Sequence, residues 1–174
     1  MTRWTAADIP PQTGKTALVT GSAGLGFETA RELARAGAQV IVASRNPETG
    51  AEAVARIRAE IPNAVLRFEP VDLGSLASVS ALAARLRAQT DVLDLLVNNA
   101  GVMTPPRRME TADGFELQFG TNHLAHFALT GLLLPLLVNA EQARVVTLSS
   151  IAARGGKIDF ADLQQGAYRP MAAY

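Results

Sequence analysis

The stretch TALVTGSAGLGFETARELARAG, residues 16–37, decides the fold of this chain. Its first five residues are apolar or β-branched, as is typical of a buried parallel strand. The segment TGSAGLG then brings three glycines together, and from Leu25 to Ala36 apolar residues recur at helical spacing before a glycine stop. The chain therefore begins with a strand, a glycine turn and a helix.

The same alternation continues along the whole chain. We predict further strands at 39–44, 64–72, 93–99 and 144–150, and helices at 47–61, 75–89 and about 113–139. Strands that alternate with helices of this length indicate an α/β fold, a doubly wound parallel sheet with helices on both faces. No linker or repeat interrupts the pattern, so residues 1–174 are predicted to form a single domain.

Composition narrows the class of protein. The chain has 174 residues, 48% of them hydrophobic, with 16 basic and 16 acidic side chains and no cysteine. Balanced charge argues against nucleic acid and anionic lipid as partners, and the lack of cysteine fits a reducing compartment, so we expect a cytoplasmic protein. The most apolar run, residues 127–138, is well short of the ~20 residues of a membrane span, which favours a buried helix kinked at Pro135.

The glycine turn predicts a phosphate site. It contains Gly21, Ser22, Gly24, Leu25 and Gly26 between the first strand and the first helix. A phosphate can approach such a backbone closely and meet the free N–H groups at the helix start. A plain tight turn is the alternative, since the spacing G-x-x-G-x-G is neither the G-x-G-x-x-G of dinucleotide sites nor a P-loop.

The end of the second strand bears on the choice of cofactor. Arg45 stands in ASRN, where an acidic residue would receive the ribose hydroxyl of NAD. An arginine there can pair with the 2′-phosphate of NADP, so NADP is favoured and NAD is less favoured. A solvated surface arginine is the alternative interpretation.

Five ordered motifs, TGSAGLG, VDL, NNAG, TNHLAHF and LSS, followed by a tyrosine, resemble the short-chain dehydrogenase/reductase family from about Lys15 to Tyr174. The stretches DGFELQFGTNHLAHFALTGLLLPLL and GGKIDFADLQ are most similar to its retinol dehydrogenase branch. The resemblance implies a Rossmann-type domain and an NADP-dependent oxidoreductase acting on a carbonyl or alcohol substrate. A lipophilic substrate, such as retinal or an aliphatic aldehyde, is suggested by the branch.

The resemblance also implies roles for individual residues. The three glycines would lie near the pyrophosphate, Asp72 with Leu73 near the adenine, and NNAG beside the adenosine ribose. Asn122 would order a relay water, Ser150 would hydrogen-bond the reacting oxygen, and Tyr174 would act as the acid. The implied cofactor and catalytic residues are Gly21, Gly24, Gly26, Asp72, Leu73, Asn99, Ala100, Gly101, Asn122, Ser150 and Tyr174. One departure is that only Ser22 and Ala23 separate the first two glycines, where the family has three residues.

The family's mechanism also needs a lysine four residues after the tyrosine, at a position 178 that this sequence does not contain. We therefore expect these residues to be the N-terminal portion of a longer enzyme, without its last strands, and to be inactive alone.

Tyr168 competes with Tyr174 for the role of acid, and Tyr174 matches the family position. An NADP(H)-sensing module or an inactive fragment is the alternative, and a homo-oligomer stays open.

Two histidines raise the question of a metal. His123 and His126 lie three apart on a predicted helix and are expected to share a face. A zinc site needs three or four ligands, and the sequence has no other histidine and no cysteine. We therefore predict packing and hydrogen-bonding roles and no metal.

Overall fold

A computed structural model describes residues 4–174, so the first three residues of the polar leader lie outside the described part. Five parallel strands form one sheet in the order β3-β2-β1-β4-β5. The strands are β1 (Thr16–Thr20), β2 (Gln39–Ser44), β3 (Leu66–Pro70), β4 (Leu95–Asn98) and β5 (Arg144–Thr147). The strand order reverses between β1 and β4, and ligands of open α/β sheets bind at such a switch point.

Helices connect the strands and cover both faces of the sheet. They are α1 (Gly24–Arg35), α2 (Pro47–Glu60), α3 (Leu76–Gln89), α4 (Ala125–Val138) and the short α5 (Pro170–Ala173). Asn46 caps α2 by accepting the N–H of Glu48, and Ser75 caps α3 by accepting the N–H of Ser78. The prediction of a doubly wound α/β fold is confirmed.

The core consists of two apolar layers, one on each face of the sheet. One layer packs α3 and α4 against the strands through side chains such as Leu82, Leu96 and Leu129. The other packs α1 and α2 through Phe27, Val54 and Ile57. The three inner strands β1, β2 and β4 are almost fully buried, as a parallel sheet with two covered faces requires.

Several predicted boundaries are wrong. Strands β3, β4 and β5 are each two or more residues shorter than predicted. The long helix begins at about residue 117 rather than 113, because Gly114 has a φ of +81° and Asp113 accepts the N–H of Leu76. The next residues, Phe119–Leu124, form a π-helical segment, here called the π turn, that leads directly into α4.

The helix formed by the π turn and α4, Phe119–Val138, has 20 residues and is long and apolar enough to cross a membrane by length and composition alone. Its inner side packs in the core through Leu129, Leu133 and Leu136. Its outer side leaves Phe127 and Val138 exposed. The inner contacts agree with the predicted buried helix, and Pro135 lies inside α4 as expected.

The last strand is the least covered part of the sheet. β5 pairs with β4 along one side, and all four of its residues are exposed. Val145 and Val146 retain 44% and 48% of their accessible surface. This strand therefore presents apolar side chains as well as a free edge within the described chain.

Candidate cofactor and catalytic site

A cleft of about 600 Å³ opens at the carboxyl ends of β1, β4 and β5. This is the edge at which the sequence places its motifs, and the switch point lies directly beneath it. Nine predicted site residues line the cleft, and Ala23 of the glycine turn lines it as well. The nine are Gly21, Ser22, Leu25, Asn99, Ala100, Gly101, Asn122, Ser150 and Tyr174.

The glycine turn forms one wall of the cleft. Gly21 and Gly24 have φ angles of +95° and +54°, a backbone region that favours glycine. Helix α1 starts at Gly24, and no side chain caps it at Ala23. Its first N–H groups and positive dipole end are therefore available to an anion such as a phosphate.

The turn after β4 is tied to the glycine turn. The Asn99 backbone N–H donates to Thr20 Oγ1 at 2.9 Å, and the Asn99 side-chain amide donates to the Thr20 carbonyl at 2.7 Å. The N–H of Ala100 also donates to Thr20 Oγ1, at 3.0 Å. The two segments that flank the switch point thus form one hydrogen-bonded unit.

Asn122 lies in the π turn and is held by the loop after β4. Its Oδ1 accepts the N–H of Val102 and its Nδ2 donates to the Val102 carbonyl, both at 2.8 Å. Both polar groups of the side chain are engaged with backbone, so the amide has a fixed orientation. π-helical segments of this kind occur often at functional sites.

Ser150 and Tyr174 lie on the other wall. Ser150 Oγ accepts the N–H of Ala152 at 3.2 Å, which leaves its hydroxyl proton able to donate into the cleft. Tyr168 lies elsewhere, and its hydroxyl donates to the Pro105 carbonyl at 2.8 Å. Burial raises the pKa of Tyr168 above its usual range. Of the two tyrosines, only Tyr174 lines the cleft in the described chain.

Five predicted cofactor residues do not line the cleft, namely Gly24, Gly26, Arg45, Asp72 and Leu73. Arg45 is exposed at the end of β2, and no ion pair joins it to another residue of the described chain. Asp72 accepts the N–H of Gly74 at 2.8 Å. Leu73 is 7% exposed and packs in the core, so only its backbone is in a position to face a ligand.

Gly26 does not line the cleft but packs against two residues that do, Gly21 and Asn99. A Cβ added there would lie 2.5 Å from both Asn99 Nδ2 and the Gly21 carbonyl oxygen. Such distances are well inside van der Waals contact, so the absence of a side chain at Gly26 allows α1 to pass close to the turn after β4.

The prediction that the two histidines share a face is wrong. His123 is exposed and stacks on Phe119 with ring centroids 5.6 Å apart, whereas His126 is 3% exposed. The wider turn of the π segment changes the angular spacing that three residues have on an α-helix. No group of three or more His, Asp or Glu side chains that could hold a metal ion occurs among residues 4–174.

Sequence reasoning missed two buried polar residues around the cleft, Thr20 and Gln118, and gave His126 a packing and hydrogen-bonding role without naming its partner. Thr20 and His126 are joined at 2.9 Å between Oγ1 and Nε2. Gln118 accepts the N–H of Thr104 at 2.6 Å and donates to the Pro170 carbonyl at 3.2 Å. A polar residue inside an apolar run, as in FELQFG, is the only signal of such roles in the sequence.

Comparison with known proteins gives a consistent result. A family model described as short chain dehydrogenase matches residues 15–161. Mouse (Mus musculus) polyprenol dehydrogenase is 49% identical over 172 residues, which are 95% of this chain and 51% of that protein. Human (Homo sapiens) retinol dehydrogenase 13 is 46% identical over 171 residues, 97% of this chain and 50% of that protein. The chain thus spans about half the length of these curated relatives.

Solved structures are also similar to this chain. A crystal structure of an uncharacterised protein from Mycobacterium paratuberculosis superposes with a TM-score of 0.86 at 44% identity, covering 99% of this chain and 60% of that one. The Pseudomonas aeruginosa RhlG/NADP active-site complex gives a TM-score of 0.73 at 32% identity, covering 94% of this chain and 63% of that one.

Proposed function

Because this chain belongs to the short-chain dehydrogenase family, we propose that it forms the cofactor-binding and proton-transfer part of an NADP-dependent oxidoreductase that interconverts a carbonyl compound and an alcohol. One observation carries the proposal. A single cleft collects the glycine turn, Asn122, Ser150 and Tyr174, although these groups are up to about 150 residues apart in the sequence.

The described residues fit a dinucleotide phosphate. The uncapped start of α1 offers N–H groups to the pyrophosphate, and Arg45 offers a free guanidinium to a 2′-phosphate. The Ser44 hydroxyl oxygen, next to Arg45, is buried without a hydrogen-bond partner in residues 4–174. The NADP complex of the related RhlG protein adds support for NADP over NAD. When bound, the nicotinamide would donate or accept the hydride.

Proton transfer is the task of the chain's own side chains. We expect Ser150 to donate a hydrogen bond to the reacting oxygen and to stabilise negative charge there. Tyr174 is the proton donor in the direction of reduction. A tyrosine hydroxyl with an ordinary pKa of about 10 is a poor base near neutral pH, so oxidation needs a nearby cation that lowers its pKa. We therefore expect the 174-residue chain to bind cofactor without measurable turnover.

A lipophilic alcohol or aldehyde is the proposed substrate. Relatives that are 46% and 49% identical to this chain over the matched residues are named for retinol and polyprenol. Met103 and Leu148 line the same cleft as Ser150, and Met103 is 67% exposed, so the cleft offers apolar surface to a substrate. An apolar chain would cover this surface and gain the free energy of its burial.

We also propose a cytoplasmic protein whose partner is a small molecule rather than nucleic acid or a membrane. The balance of 16 basic and 16 acidic residues and the lack of cysteine support this proposal. A homo-oligomer stays a prediction.

Binding calorimetry with NADPH and with NADH tests the proposal. We expect NADPH to bind at least tenfold more tightly than NADH, a difference of about 1.4 kcal/mol. Ser150→Ala and Tyr174→Phe are expected to keep the NADPH affinity, because neither side chain holds the phosphates. No binding of either dinucleotide to folded protein would refute the proposed function. Oxidation of an alcohol panel with NADP⁺ by the 174-residue chain would refute the need for a further cation.

A further inference from the structure

His126 is a buried hydrogen-bonded ring between β1 and the π turn. It is 3% exposed. Its Nε2 lies 2.9 Å from Thr20 Oγ1, and its Nδ1 lies 3.0 Å from the Asn122 carbonyl oxygen. One imidazole thus contacts both the residue that precedes the glycine turn and the residue proposed to serve in proton transfer.

The partners of the ring determine its tautomer. A carbonyl oxygen only accepts, so Nδ1 must carry the proton that is donated to Asn122. Nε2 is then an acceptor, and the Thr20 hydroxyl donates to it. Burial lowers the pKa of His126 and outweighs the opposing effect of the hydrogen bond to the Asn122 carbonyl, which agrees with a neutral ring.

This tautomer sets the hydrogen bonds of Thr20. The Thr20 hydroxyl has one proton and two lone pairs. Its proton goes to His126, and its oxygen accepts the N–H groups of Asn99 at 2.9 Å and Ala100 at 3.0 Å. The alternative acceptor for the proton, the Val97 carbonyl, lies at 3.4 Å, a long distance for an O–H donor. All hydrogen-bonding groups of the threonine hydroxyl are therefore in use.

We propose that His126 is a positioning residue of the cofactor site. By accepting the Thr20 proton it orients the hydroxyl toward Asn99 and Ala100, and by donating to the Asn122 carbonyl it anchors the π turn to the same unit. The turn that lines the cleft and the helical segment that carries Asn122 are thereby held in one register. This inference rests on the proposed function for its effect on cofactor binding, but its hydrogen-bond geometry can be tested separately.

Nitrogen NMR of the imidazole rings tests the geometry. The chain has two histidines, and a His123→Gln variant assigns the signals. We expect His126 to give the shifts of the neutral Nδ1–H tautomer, and its lowered pKa should keep the ring neutral at neutral pH. An Nε2–H tautomer, or a charged His126 ring at neutral pH, would overturn the proposal without bearing on whether the cofactor binds.

A double-mutant cycle on NADPH affinity tests the consequence. We expect His126→Phe and Thr20→Val each to weaken binding about tenfold and the double variant to be little weaker than either, because both break one network. Thr20→Ser keeps the hydroxyl and should restore near-normal affinity. His123→Phe is the control, since its ring is exposed and outside the network.

The cycle separates positioning from stability. Full additivity of the two losses of affinity in the double variant would mean that the two residues act independently, which would overturn the proposal, as would unchanged affinity in folded His126→Phe. If His126→Phe does not fold, His126→Gln provides the comparison. A glutamine side chain can still donate and accept hydrogen bonds, but it is flexible and does not hold Thr20 and Asn122 in fixed positions as the rigid ring does. Failure of the unmodified chain to bind NADPH would refute the proposed function, whereas the NMR result would stand.

Discussion

Gly26 lies where α1 passes closest to the turn after β4, and we predict that Gly26→Ala damages the cleft. The new methyl group would lie 2.5 Å from Asn99 Nδ2 and from the Gly21 carbonyl oxygen, one of which is backbone and cannot move cheaply. Overpacking of this kind costs about 1–3 kcal/mol, so NADPH affinity should fall by about tenfold or more. Calorimetry measures the loss.

Gly131→Ala is the matched control for this substitution. Gly131 lies in α4 with nothing within 4 Å of an added Cβ, so the same chemical change should leave the affinity unchanged. Its helix should gain a few tenths of a kcal/mol or more, because alanine has the higher helix propensity. Equal affinities of the two variants would contradict the close approach assigned to Gly26.

Arg45 is the residue on which the choice between NADP and NAD depends in this account. We predict that Arg45→Asp weakens NADPH binding at least tenfold and strengthens NADH binding, because a carboxylate repels the 2′-phosphate and can accept from a ribose hydroxyl. Arg87→Asp makes the same change of charge at the last turn of α3, at the opposite end of the strands, and should not alter the preference. An unchanged ratio of affinities in Arg45→Asp would show that Arg45 is a solvated surface residue.

The structural roles of some residues could be predicted from the sequence, and those of others could not. The glycine turn could be predicted because its residues act through local backbone conformation, and Gly21 and Gly24 do have positive φ. Thr20 and His126 could not, because they are 106 residues apart and meet only in the folded chain. The role of a buried polar side chain depends on its hydrogen-bond partner, and a single sequence does not reveal which residue that partner is.

At the scale of elements, Gln118 connects two segments that flank the cleft. It is 1% exposed, accepts from Thr104 in the loop after β4 and donates to the Pro170 carbonyl at the start of α5. This amide therefore joins the segment that ends in Tyr174 to the helix that carries Asn122.

We predict that Gln118→Met loosens the segment that carries Tyr174. Methionine fills a similar volume but neither accepts from Thr104 nor donates to Pro170, so amide hydrogen exchange in residues 168–174 should become at least several times faster. Gln89→Met, at the exposed end of α3, is the control and should leave that exchange unchanged. Unaltered exchange in Gln118→Met would mean that other contacts hold the segment.

Some boundaries of helices could be predicted from the sequence and others could not. Helices α2 and α3 were predicted to within a residue, because Asn46 and Ser75 are explicit caps with side-chain hydrogen bonds. The start of the long helix was wrong, because apolar periodicity continued upstream of residue 117 while Thr111 and Gly114 formed a turn held by long-range contacts. The π turn has no side-chain signature that differs from that of an α-helix.

At the scale of the whole molecule, β5 is the exposed part of the sheet. We predict that Val146→Lys reduces association of the chain, because a charge on an exposed edge strand opposes pairing with another sheet. Light scattering at fixed concentration should show less aggregate than for the unmodified chain. Val65→Lys changes an exposed valine outside β5 and should have a smaller effect. Equal effects would mean that general surface charge, and not the edge, governs solubility.

The overall fold was the most predictable level. The alternation of strands and helices fixes a parallel sheet because each crossover needs a helix, and the observed order places β1 next to β4 at the switch point. The sequence motifs follow the strand ends, so their convergence at one edge could be foreseen. The cleft's volume could not, because it depends on the packing of the segments between the motifs.

The most direct test of the central claim is a crystal structure of this chain grown with NADP. The account predicts that the pyrophosphate lies on the Gly21–Gly26 turn, the 2′-phosphate contacts Arg45, and the nicotinamide lies beside Ser150 and Tyr174. A dinucleotide bound elsewhere on the molecule, or a nicotinamide out of reach of both side chains, would contradict it.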